Sequence, residues 1–293
     1  MAAQIIDGRI VAEQVYKDLA HDIASLKEKG VYPRLSVVLV GDDPASATYV
    51  GNKQKACEKN GIMSDTLHFD ARISEFRLLD VITELNQDRS VHGILVQLPL
   101  PTHLSPDRII EAISPDKDVD GIHPVSRGRL SSGLDCFLPC TPAGIQRLLL
   151  YYNHSPEGKH VVVVGRSGIV GMPFAIMMMQ KKAGANATVT VCHTGSGDLE
   201  PFTTQADILI AAAGKANIIQ AGMVKPGAIV IDVGTNRIED PSKPKGYRLA
   251  GDVDFDRVKD IAGAISPVPG GVGPMTIAML LVNTVKAARL ANA

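Results

Sequence analysis

"HVVVVGRSGIVGMP", residues 160–173, passes from four consecutive valines into three glycines spaced three residues apart. An unbroken valine run suits a parallel strand with both faces covered, since such strands lack the polar alternation of half-exposed ones. The residues that follow, "PFAIMMMQKKAG" (173–184), carry helical periodicity and end at glycine. A strand entering a helix through a glycine-rich turn places free backbone N–H groups where a phosphate can bind. Gly165 permits the tight turn, Gly168 exposes backbone N–H groups, and Gly171 lets the helix pack closely. The spacing departs from G-x-G-x-x-G, because Ser167 stands at the second glycine position.

The same pattern repeats outward from this unit. "LSVVLV" (35–40), "GILVQL" (93–98), "ATVTVC" (187–192), "ADILIAAAG" (206–214) and "AIVIDVG" (228–234) read as buried strands. Helical stretches lie at 7–30, 45–61 and 75–88. Their alternation predicts an α/β protein with parallel sheets covered by helices. The stretch 114–141, dense in Pro, Gly, Ser and Asp, reads as a loop-like junction. The expected organisation is two α/β domains with a cleft between them. Residues 1–139 form the first, and residues 140–273 form a Rossmann-type dinucleotide-binding domain. A terminal helix, 274–293, packs back on the first domain.

With 45% hydrophobic residues, 21% charged residues and a net charge of −1, the chain offers no bulk electrostatic case for nucleic-acid or membrane binding. "TIAMLLVNTV" is shorter than the about 20 apolar residues needed to span a bilayer. "MAAQIIDGRI" lacks the basic and apolar regions of a secretory signal. Cys57, Cys136, Cys140 and Cys192 show no zinc-type spacing and read as thiols in a reducing compartment. A cytoplasmic location is expected.

An NAD site places an acid at the end of the strand after the glycine turn, to bond the ribose hydroxyls. Here that end reads Cys192-His193-Thr194, with Ser196 just beyond. Without the acid, and with Arg166 in the turn, a 2′-phosphate is favoured, so the expected cofactor is NADP. Arg166 and His193 also admit plain readings, as a solvated arginine and a capping residue. Gly214 and Gly234 fall at later strand ends, where a nicotinamide ring can approach backbone. Asp232 either joins them or bonds a neighbouring loop.

In "SATYVGNKQKAC" (46–57), Ser46, Tyr49 and Lys53 share one helical stripe. Gln97 is an amide in the otherwise apolar strand "HGILVQLPLP" (92–101), and burying it without partners costs roughly 1–3 kcal/mol. Two readings stand. Gln97 caps a local turn before Pro99, or it faces Lys53 and gives the amine a neutral partner. In the second case desolvation can bring the lysine toward its uncharged form. Asp116, Asp118 and Asp120 alternate as in a calcium loop, but the twelfth position is Arg127 instead of glutamate, so no metal is expected. A buried aspartate such as Asp120 would suit the N–H edge of a heterocycle. "SPVPGGVGPMT" (266–276) supplies a second glycine–proline loop.

Taken together, "TYVGNK", "ELNQDRSVHGILVQLPLP", "DVDG", "GRSGIVGMP" and "PGGVGPMT", in that order, closely resemble the bifunctional methylenetetrahydrofolate dehydrogenase/methenyltetrahydrofolate cyclohydrolase family over the whole chain. The resemblance implies that Tyr49 stacks near the pterin and that Lys53 is the catalytic lysine. It further implies that Gln97 tunes that lysine and Asp120 anchors the pterin. Ser46 is then a nearby site residue, with Gly273, Pro274 and Met275 on the folate side. Arg166, Ser167, Ser196 and, less directly, His193 match cofactor positions. Implied too are tetrahydrofolate derivatives as substrates and a homodimer formed through the second domain.

Overall fold

The computed structural model describes residues 3–242 and 246–292. In chain order the elements begin with β1 (Gln4–Ile5), α1 (Gly8–Glu28), β2 (Arg34–Val40), α2 (Pro44–Lys59) and β3 (Met63–Phe69). They continue with α3 (Glu75–Gln87), β4 (Gly93–Val96), α4 (Pro106–Glu111), α5 (Pro124–Ser131) and α6 (Cys140–Tyr151). Next come β5 (His160–Val164), α7 (Gly171–Met179), β6 (Thr188–Cys192), α8 (Glu200–Thr203), β7 (Ile208–Ala211) and β8 (Ile229–Asp232). The last are β9 (Asn236–Glu239), β10 (Tyr247–Ala250), α9 (Phe255–Val258), β11 (Ala264–Ile265) and α10 (Val272–Leu290).

The chain divides into two compact units, Gln14–Cys140 with Ile277–Ala293, and Met1–Glu13 with Thr141–Thr276. We call these the lysine unit and the glycine-turn unit. The lysine unit is built on a three-stranded parallel sheet, in order β3-β2-β4. Val38, Val40, Ile94 and Val96 meet Leu78, Val81, Ile82 and Leu85 of α3 in a dry core. The amphipathic spacing of α3 explains that face: its buried residues recur every three or four positions. Ser74 starts α3 by accepting the N–H of Arg77.

A six-stranded parallel sheet, in order β1-β11-β8-β7-β5-β6, forms the glycine-turn unit. The four valines of β5, between β7 and the edge strand β6, are buried. Here the first residues depart from the expected 1–139 domain. β1 pairs in parallel with β11, Gln4 opposite Ala264 and Ile5 opposite Ile265, and Gly8 donates its N–H to Gly270. Backbone pairing, which composition does not reveal, assigns this segment to the later unit. At the other end, α10 begins two residues before the expected Pro274, and its residues from Ile277 onward belong to the lysine unit.

Two further departures are local. The stretch expected as a loop junction holds α5 and the start of α6. Pro124 at the first position of α5 fits a helix start, so proline density there marked initiation as well as turns. β3, "MSDTLHF", is a strand with a half-exposed, polar pattern that an apolar-run criterion passes over.

Candidate functional site

Within the lysine unit, α2 begins at Asp43, whose carboxylate accepts the N–H of Ser46 at 2.8 Å and its hydroxyl at 2.9 Å. Ser46 is buried, and its hydroxyl is therefore committed to the helix cap. Tyr49, one turn on, is exposed. Another turn brings Lys53, whose Nζ donates to Gln97 Oε1 at 3.0 Å.

Gln97 follows β4 directly and stays in the ladder through its N–H to Val38 O at 2.9 Å. Its Nε2 donates to Leu98 O at 2.6 Å, which turns Oε1 toward the lysine. Gln97 thus both satisfies its local backbone and meets Lys53. Burial lowers the Lys53 pKa below the ordinary lysine value, with the nearby Asp120 charge acting in the opposite direction. An amine held by a carboxamide keeps a hydrogen bond without a fixed anion to enforce its charge.

Asp120 sits on a loop organised by buried Asp118. That carboxylate accepts the N–H groups of Ile122 and His123 and the Ser126 hydroxyl, the last at 2.6 Å. Burial nevertheless pushes the Asp118 carboxyl up to about 6. Cys140 also lies by Asp120: its N–H donates to Asp120 O at 3.3 Å, and its thiol to Val119 O at 3.3 Å. Burial raises the Cys140 pKa well above the usual thiol value, so it is a neutral packing thiol at physiological pH.

In the other unit, Gly165 has φ +122°, and a β-carbon there would stand 2.0 Å from Ala212 O. One at Gly171 would stand 2.0 Å from Gly165 O. Only glycine fits either position, and the start of α7 is drawn hard against the end of β5. Ser167 Oγ accepts the N–H of Val170 at 3.2 Å, while Arg166 and Ser167 are exposed and Gly168 is half-buried. The turn after β6 is self-bonded. Ser196 Oγ accepts the N–H of His193 at 2.9 Å, and His193 Nδ1 accepts that of Gly195 at 3.0 Å.

Gly214 and Gly234 are held by two buried aspartates that the sequence did not single out as a pair. Asp252 Oδ2 accepts the N–H groups of Ala213 and Gly214 at 2.6 and 2.8 Å, and its Oδ1 accepts Asn236 Nδ2. Asp232 accepts the N–H groups of Gly234, Asp252 and Val253. Of its two readings, the loop bonds are the one observed, and burial pushes its carboxyl up to about 7. At the start of α10, Gly273 is exposed and Pro274 half-buried. Met275 is fully buried and packs on Gly144, so its side chain is spent on the core of its own unit. Among the described residues no cluster of His, Cys, Asp and Glu could hold a metal ion.

Comparison with known proteins agrees with this arrangement. Residues 6–120 match the model of the tetrahydrofolate dehydrogenase/cyclohydrolase catalytic domain, and residues 139–292 that of the corresponding NAD(P)-binding domain. The bifunctional protein FolD of Paracidovorax citrulli is 54% identical over 291 residues, 99% of each chain. The crystal structure of the bifunctional enzyme FolD, methylenetetrahydrofolate dehydrogenase/cyclohydrolase, from Campylobacter jejuni is 49% identical, with a TM-score of 0.93 over 99% of each chain. A Trypanosoma brucei methylenetetrahydrofolate dehydrogenase-cyclohydrolase complexed with NADP cofactor and inhibitor is 38% identical, with a TM-score of 0.94 over 100% of this chain and 99% of its own. A lysine on a neutral partner and a glycine turn at a helix start, carried by a chain alike from end to end, give one conclusion: this protein belongs to the tetrahydrofolate dehydrogenase/cyclohydrolase family.

Proposed function

We propose that the chain oxidises 5,10-methylenetetrahydrofolate to 5,10-methenyltetrahydrofolate with NADP+, and hydrolyses that product to 10-formyltetrahydrofolate. The observation that carries this reading is the 3.0 Å bond from Lys53 to the neutral amide of Gln97. The residues of the glycine-turn unit suit a dinucleotide. The glycines required at Gly165 and Gly171 draw the turn between β5 and α7 into close backbone packing, as a dinucleotide-binding turn needs, and exposed Arg166 suits a 2′-phosphate. NADP+, when bound, supplies the hydride acceptor of the first reaction. Gly214 and Gly234 border its ring, and Ser167, Gly168, His193 and Ser196 complete its surroundings.

Lys53 acts in the second reaction. Its uncharged amine takes a proton from the water that attacks the methenyl carbon. The bond from that carbon to N5 then breaks, N5 takes up a proton, and the formyl group stays on N10. One proton is released overall. Gln97 holds the amine in place and leaves its charge free to change. Asp120 accepts hydrogen bonds from the pterin, Tyr49 offers its exposed ring for stacking, and Gly273 and Pro274 contact the folate.

Two further parts belong to the proposal. The chain forms a homodimer through the glycine-turn unit. Support comes from β6, which lies at the edge of its sheet with Val191 exposed, and from exposed Met172 and Met179 on α7. It works in the reducing cytoplasm, in keeping with buried thiols at Cys57, Cys140 and Cys192. The test is an assay that follows methenyl formation and its loss, with NADP+ and NAD+ compared. Sequential formation and loss, faster with NADP+, is expected. Binding of NADP+ with no turnover would remove the catalytic reading.

A further inference from the structure

Helix α10 is apolar along most of its length, yet Asn283 lies within it and is buried. Its Nδ2 donates to Val119 O at 2.8 Å and to Leu138 O at 2.9 Å, spending both amide hydrogens on two separate chain segments. The same nitrogen stands 3.7 Å from Cys140 Sγ. Those two segments are laced to each other as well. Cys140 donates its N–H to Asp120 O and its thiol to Val119 O. Gly121, at φ +70°, lies so close that an added β-carbon would stand 2.6 Å from the Leu138 carbonyl carbon. Asn283 therefore ties the 118–121 loop to the 138–140 segment from a third element, through Val119, one residue from Asp120.

We propose that Asn283 is a positioning residue for the folate, acting through the Asp120 carboxylate. The inference rests on the reading of Asp120 as a pterin contact and deepens it. A bulk structural role could be filled by an apolar side chain of similar volume, as along the rest of α10. An amide in that setting costs free energy unless both hydrogens are used, and here both are, on carbonyls flanking the site. Removing it leaves the Val119 carbonyl with the thiol alone and frees the loop to shift. A displaced Asp120 carboxylate loses hydrogen bonds to the pterin, which weakens folate binding.

The experiment is steady-state kinetics of Asn283→Ala, Asp120→Ala and the double variant, with KM measured separately for methylenetetrahydrofolate and NADP+. Asn283→Ala should raise the folate KM roughly tenfold while the NADP+ KM stays as in the wild type. In the Asp120→Ala background the same substitution should change the folate KM less than twofold, because the residue it acts through is gone. Should Asn283→Ala fail to fold, Asn283→Ser keeps one donor and should show a smaller rise, confined to the folate. A wild-type folate KM in the Ala or Ser variant overturns the proposal. So does an undiminished effect in the Asp120→Ala background, which leaves the Asp120 reading intact. If Asp120→Ala alone leaves the folate KM unchanged, the Asp120 reading fails and this one falls with it.

Discussion

The Asp232 carboxylate accepts the backbone N–H of Asp252, and the Asp252 carboxylate turns away to the N–H groups of Ala213 and Gly214. Two buried acids thus brace the ends of β7 and β8 in series. Asp252→Ala would remove the acceptor of those two N–H groups and one of the two acceptors of the Asn236 amide, at roughly 0.5–1.5 kcal/mol for each hydrogen bond lost. The expected outcome is a large rise in the NADP+ KM together with lost stability, checked by dehydrogenase kinetics and urea unfolding. An unchanged NADP+ KM would separate this brace from cofactor binding.

Asp232 also gives a pH signature. Its carboxyl, pushed up to about 7 by burial, stands above the unfolded value near 3.8. The neutral form therefore favours the folded state. That contribution is complete below about pH 4 and is lost as pH rises through 7. Asp232→Asn escapes the ionisation cost, so its stability relative to wild type should improve by about 2–3 kcal/mol between pH 5 and pH 8. Equal gaps in unfolding free energy at the two pH values would refute it.

Lys53→Met keeps much of the side-chain volume and removes the amine. Hydrolysis of methenyltetrahydrofolate should fall to background, while NADP+ affinity, measured by fluorescence titration, stays near wild type. Wild-type turnover in the variant would end the assignment of Lys53.

Gln97→Glu puts an anion where the carboxamide now meets Lys53. The carboxylate would favour the ammonium form and reverse the lowering caused by burial. The limb of the cyclohydrolase pH profile that reports the neutral amine should move to higher pH. A profile that keeps its midpoint would mean the amine's charge is not what the amide governs.

The parts of the lysine site and the glycine turn were legible in the sequence because each is local, whereas the pairing of Lys53 with Gln97, 44 residues apart, came from the family resemblance. Tyr49 and Lys53 are one helical turn apart, Gln97 interrupts an apolar run, and Gly165 and Gly171 bracket one turn. Asn283, Asp252 and Asp118 were not legible as a group. Asn283 and Asp252 satisfy backbone atoms that only the folded chain assembles, and no spacing rule links residue 283 to residues 119 and 138. The same reason hid β3, whose polar residues look loop-like until its seven-residue register with β2 is seen.

The pairing of Gln4 with Ala264 closes a loop of about 260 residues with the first strand of the chain. On a ribosome adding about 5–20 residues per second, β1 must wait on the order of 10–50 s for β11 to be synthesised. The six-stranded sheet cannot be completed before β11 has been made. Until then β1 must be kept from wrong partners, which makes its pairing a late step in folding and a place where a nascent-chain chaperone would matter most.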